Sequence, residues 1–195
     1  MSEGIVYAAA FGILWGILEI VLKGISGSML LFTRGLFFSF FTIFILIHAK
    51  KFADFKFSLI VIAIIAVVVK SASSGLSVSY SLAILLEALI AEIVLMVFNW
   101  ERKSALIAGC LIFIYSFLHG LIFHGSLPNN YIEYYYKTMF SGLSGIETAS
   151  AVPAFILFGV IAGLVGLLGG YVVWLFAERY AMKIKLWIEE IVYVK

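Results

Sequence analysis

Three titratable side chains stand inside runs of apolar sequence, where a charged group is expensive and therefore needs a reason. Glu19 lies about one helical turn from the end of the run 5–22, Glu87 about two turns from the start of the run 80–98, and His119 about one turn from the end of the run 104–123. If alternate runs cross a membrane in opposite directions, all three fall at a similar depth near the same surface. Trp15 sits about one turn below Glu19, and Tyr115 about one turn below His119 on the same helical face. A carboxylate, an imidazole and aromatic faces can hold a flat heteroaromatic or cationic solute. Stacking and cation–π contacts grip the ring, and hydrogen bonds fix its edge. The expected substrate-binding set is Trp15, Glu19, Glu87, Tyr115 and His119. The competing reading is that these groups pair with one another, or with Arg34 or Lys70, and only tie helices together.

Other polar residues read differently. Glu92 is five residues after Glu87, so it points roughly 140° away around the helix and lies deeper. It is expected to face another helix interface or to carry a proton. His48 and His124 lie at the ends of apolar runs, where a wetted histidine needs no special explanation. His119 and His124 do not share a helical face, and no Cys/His cluster has ligand spacing, so no metal site is expected. The chain has no Walker-type phosphate loop, nucleophile elbow or helical zinc signature. Neither an enzymatic activity nor a bound cofactor is expected, and the chain cannot hydrolyse ATP by Walker chemistry itself.

The elements that must position these side chains are membrane helices. The 195 residues are 64% hydrophobic and only 12% charged, with a mean hydropathy of +1.16. A soluble core of this size does not need so much apolar sequence. The single Cys110 rules out an intrachain disulfide framework, and the net charge of +2 gives no reason to invoke nucleic acid. No basic residue precedes the first apolar run, which reads against a cleaved signal peptide. Six spans are predicted, at approximately 5–22, 35–48, 55–69, 80–98, 104–123 and 150–177, forming one all-α domain over 1–195. The second and third have short apolar cores and reach full length if Arg34 or Lys70 snorkels or adjacent residues join the helix. The connections 23–34, 70–79 and 124–149 are rich in Gly, Ser and Tyr, and read as a lid over a site or as plain connectors. Tyr131, Tyr134, Tyr135 and Tyr136 also suit an aromatic belt.

Small residues mark where helices approach closely. Ala8, Gly12 and Gly16 recur every four residues and form one smooth stripe on the first helix. In lipid, such a stripe lets another helix pack closely, so it is read as a partner-docking face. Ala162, Gly166 and Gly170 form a second stripe on the last span, with Gly159 and Gly163 beside it, expected to pack on the first or fifth helix. Pro153 falls near the start of that span, where proline is tolerated.

Six spans in a chain of this length, with a small-residue motif in the first helix, resemble the substrate-binding S components of energy-coupling factor (ECF) vitamin transporters. Ala8-x-x-x-Gly12, continuing to Gly16, is similar to that family's Ala-x-x-x-Ala docking motif, with glycine in place of alanine. The stretch Ser81–Glu92 looks like the fourth helix of some members. The resemblance implies a subunit of the cell membrane that captures a vitamin between its outer loops and the outer halves of helices 4 to 6. It implies a coupling T component and ATPase subunits supplied by other chains. Glutamate, histidine and aromatic groups would suit thiamine or its pyrimidine precursor. The other readings of the sequence are a proton-coupled secondary transporter using Glu19, Glu87 or Glu92, and a membrane scaffold without a ligand.

Orientation follows from charge. With a cytoplasmic N-terminus, the inner segments hold Lys50, Lys51, Lys56, Arg102, Lys103, Arg179, Lys183, Lys185 and Lys195, and the outer ones only Lys23, Arg34, Lys70 and Lys137. The excess places both termini inside. It predicts that a cysteine at Asn130, in a Cys110→Ser background, reacts with an impermeant thiol reagent from outside the cell. Labelling only from the inside would reverse the topology.

Overall fold

Hydrocarbon offers no hydrogen bonds, so a chain that crosses it must satisfy its peptide groups within each segment, which favours helices. The computed structural model describes residues 3–25, 31–123 and 129–192; the side chains of a few residues within these ranges are also left undescribed. The described chain forms α1 (Glu3–Ile25), α2 (Leu31–Phe52), α3 (Ser58–Ser74), α4 (Val78–Phe98), α5 (Arg102–Phe123), α6 (Asn129–Ser144) and α7 (Val152–Val192). Strands are absent among the described residues. Five helices, α1, α2, α4, α5 and α7, are long and apolar enough to cross a membrane, while α3 is apolar but shorter. Their outward faces carry rows of exposed large side chains, such as Ile13, Ile17 and Val21 on α1 and Ile156, Val160, Leu164 and Leu168 on α7. Such rows belong in lipid rather than water. The chain is an all-α membrane protein.

The helices extend beyond the predicted apolar runs. Arg34 and Lys70 are both helical, as snorkelling ends require. The connection expected over 70–79 contracts to residues 75–77. The segment 124–149, expected as a loop, contains α6. Its tyrosine-rich sequence has little apolar content, so hydropathy alone misses it. Six helices close a ring in the order α1, α3, α4, α5, α7, α2, with α2 also touching α5 across the middle and α6 lying against α7.

Two close contacts set this ring. On α1, a Cβ added to Gly12 would lie 2.7 Å from Ile65 Cβ, and one on Gly16 would lie 2.6 Å from Val69 Cβ. The small-residue stripe is therefore filled by α3, and Ala8 in the same row is fully buried. The expectation that Ala8, Gly12 and Gly16 present an open docking face is corrected. The stripe does permit close helix approach, but the neighbour is this chain's own third helix. On the other side of the ring, Gly109 of α5 meets Gly166 of α7 backbone to backbone, and a Cβ on Gly170 would strike Ala105 O. The second stripe thus packs on the fifth helix, one of the two neighbours expected for it.

α3 begins with a polar knot. Glu92 is buried on α4, where its Oε1 accepts from Lys50 Nζ at 2.7 Å and from the Phe57 N–H at 2.9 Å, and its Oε2 from the Leu59 N–H at 3.0 Å. Lys50 also donates to Phe55 O at 3.0 Å and Ser58 Oγ at 3.1 Å. Phe57 holds a left-handed backbone at φ 62°, which costs a residue with a Cβ about 1–2 kcal/mol. Glu92 therefore caps the free amides of α3 and ties α2, α3 and α4 together. This is the separate interface expected from its position relative to Glu87. His48 departs from its wetted reading: it is buried at 1% exposure, with Nδ1 against Phe44 O at 2.6 Å. His124 and Lys195 lie outside the described residues.

Because the α1–α3 and α5–α7 contacts leave no room for a side chain, Gly12→Leu and Gly166→Leu should each destabilise the folded protein, by about 1–3 kcal/mol or more. A clear fall in Tm of the detergent-solubilised protein is expected for both. An unchanged Tm for Gly12→Leu would mean that α1 does not pack on α3.

Candidate functional site

At the end of the ring where α1, α3 and α5 finish and α2 and α4 begin, the helices splay around a cavity of about 300 Å³. That is the small end of the range for ligand pockets, about 300–1,000 Å³. Glu19, Glu87 and His119 all line it, so the three groups picked out by depth do converge. Glu19 comes from α1, Glu87 from α4 and His119 from α5.

Their partners define the electrostatics. Glu19 is buried and accepts from Lys70 Nζ of α3 at 2.5 Å; the two side chains are 8% and 11% exposed. The reading in which polar groups tie helices together is thus realised for this one pair. Glu87, also buried, accepts from Thr42 Oγ1 of α2 at 3.2 Å. The His119 Nε2 lies 3.2 Å from Ser79 O and, as the donor to that carbonyl, carries the hydrogen.

Two predicted wall residues fall elsewhere. Trp15 is 1% exposed within the packed core and is not part of the cavity lining. It lies one turn deeper than Glu19, the deepest α1 residue of the lining, where neighbouring helices have already closed. Tyr115 sits beside Ser116, which takes the lining position on α5. Its ring still packs 5.7 Å from that of His119, and its hydroxyl is buried without a hydrogen-bond partner among the described residues.

The remaining lining went unassigned as binding residues in the sequence. Lys23 of α1 and Lys70 both approach the Tyr80 ring, at 5.9 and 4.9 Å from its centroid. Arg34 of α2 reaches the same space. The apolar wall is Phe32, Phe117 and Tyr136. Phe32 stands edge-on to Phe117 at 6.0 Å, and Phe117 edge-on to Tyr136 at 5.8 Å. Tyr136 belongs to α6, and its 2% exposure contrasts with 69% for Tyr134. Burial, with the neighbouring Tyr135 phenol, pushes its hydroxyl above the ordinary phenol range. One face of the tyrosine-rich helix therefore enters the core rather than forming a belt. The signal available in the sequence was the short distance from Lys70 to the end of its apolar run, which places its ammonium at the depth of Glu19.

Among the described residues, no group of three His, Cys, Asp or Glu side chains converges as metal ligands would. The cavity instead combines an apolar aromatic wall with charged groups from four helices. That arrangement offers an apolar face and charged partners side by side.

The Glu19–Lys70 pair is the polar contact between α1 and α3 at the cavity floor. Lys70→Met strands a buried carboxylate and should cost about 3–5 kcal/mol, whereas Glu19→Gln combined with Lys70→Met should recover much of that loss. Thermal unfolding of the three proteins checks this; a double variant no more stable than Lys70→Met alone would mean that the two charges do not interact. Comparison with family models, curated proteins and solved structures returns no match for this chain.

Proposed function

We propose that this protein is the substrate-capture subunit of an ATP-driven uptake transporter, binding a small vitamin-like solute and energised by a separate T component and ATPase chains. The observation that carries the proposal is the cavity itself. Charged and aromatic side chains from α1 to α6 converge on one space of about 300 Å³ at one end of an apolar bundle. Polar groups are costly in such a bundle, and a solute that uses them gives them a function. The charge asymmetry of the connections supports an orientation with that end outside the cell and both termini in the cytoplasm, and the ECF resemblance supports the plasma membrane. In this reading α3, about 25 Å long, is the sixth span, with Lys70 reaching toward the outer surface. The ECF resemblance supplies the partner class, and the absence of Walker chemistry assigns ATP hydrolysis to other chains. Since α3 covers the stripe of Ala8, Gly12 and Gly16, a T component would dock on other helix faces.

Gly120 gives a clean test, because it lines the cavity and a Cβ there meets no atom of the described residues within 4 Å. Gly120→Trp should fill the cavity, keep the fold, and lower the solute recovered with the purified protein at least tenfold by mass spectrometry. Uptake of that solute by cells should stop when the partner ATPases are deleted. Proton-driven uptake into liposomes holding this chain alone would favour a secondary transporter. No solute recovered, together with no uptake, would end the capture reading.

A further inference from the structure

The lining of the cavity carries an unequal set of charges. Three cationic side chains, Lys23, Arg34 and Lys70, face two carboxylates, Glu19 and Glu87. Both carboxylates already serve partners inside the protein: Glu19 accepts from Lys70, and Glu87 from Thr42. Arg34 is different. Among the described residues, its guanidinium has no carboxylate within ion-pairing distance, and it lies 5.9 Å from the centroid of the Phe38 ring. Arginine presents a planar fork of donors that matches a carboxylate in two parallel hydrogen bonds.

We infer that the cavity takes a small carboxylate-bearing molecule whose acid group is held by Arg34 and whose apolar ring lies against Phe32, Phe117 and Tyr136. This inference rests on the capture reading and narrows it to one substrate class. A solute sealed in a low-dielectric site must bring the charge that the lining lacks, because an uncompensated buried charge is costly. Three cationic side chains against two carboxylates leave the lining short of negative charge. A carboxylate supplies negative charge together with two coplanar acceptors that match the Arg34 fork. A cationic solute would meet three like charges, with one of the two carboxylates already occupied by Lys70. The preference for a cation suggested by Glu19 and Glu87 in the sequence is thereby reversed, since the sequence does not reveal that Lys70 answers Glu19. The apolar wall starts next to the basic group on the same helix, with Phe32 and Arg34 both on α2. A ring attached to the acid by a short spacer reaches both.

The test uses the purified full chain and three probes of one skeleton: 3-phenylpropanoate, 3-phenylpropanamide and 3-phenylpropylammonium. Binding is read by ligand-dependent thermal stabilisation and by calorimetry. The acid should bind at least tenfold more tightly than the amide, and the ammonium most weakly. Arg34→Gln should weaken the acid at least tenfold and leave the amide unchanged, while Arg34→Lys should retain part of the preference. The ranking on the unaltered protein needs no variant, so misfolding of either substitution leaves the test intact. The inference is overturned by an amide or ammonium that binds as tightly as the acid, by no binding of any probe, or by an acid indifferent to Arg34→Gln. A neutral or cationic solute recovered with the protein would overturn the carboxylate inference and leave capture standing.

Discussion

A charge in an apolar bundle must be answered by another part of the same chain, and the short third helix is held by two such answers. Near its start, Glu92 joins Lys50 to the amides of Phe57 and Leu59. Toward its other end, Lys70 joins Glu19. Between them, the glycine contacts with α1 leave no slack. Fixing α3 in this way fixes α1 and α4 on either side of it, and the ring then closes through the equally tight α5–α7 seam. The cavity is a consequence. It lies where the polar groups at one end of the helices keep the bundle from closing on itself with aliphatic side chains.

The same two ion pairs differ in kind. Glu92 is saturated by three donors and is 1% exposed, so nothing remains for a ligand. Glu19 and Lys70 form a single contact that borders open space. One carboxylate lies within a helix interface and the other, paired with Lys70, at the edge of the cavity, although both are buried glutamates in apolar helices.

Much of this was legible in the sequence, for identifiable reasons. Apolar run length specifies the helices. The depth of Glu19, Glu87 and His119 places them in one cavity, because a helix converts sequence position into height. The five-residue step from Glu87 to Glu92 separates a cavity group from a helix cap. What failed were statements about faces across helices. A stripe of small residues says that something comes close, but not what; for Gly12 and Gly16, the neighbour is 50 or more residues away in the same chain. Trp15 and Tyr115 share a helix with true lining residues, yet the closing of neighbouring helices at their positions decides whether they reach the space. α6 escaped because a tyrosine-rich helix at a surface has neither a long apolar run nor an obvious stop signal.

The long sequence separation of the ion pairs has a meaning for biogenesis. Lys70 follows Glu19 by 51 residues, and Glu92 follows Lys50 by 42. At a synthesis rate of about 5–20 residues per second, each early charge waits several seconds for its counterpart. During that interval, the first two helices reach the bilayer carrying a carboxylate and an ammonium that only later helices can match. Membrane integration of the N-terminal half is then not settled segment by segment. It becomes complete when the third and fourth helices arrive, and a chain halted before Glu92 would leave its earlier helices only provisionally placed.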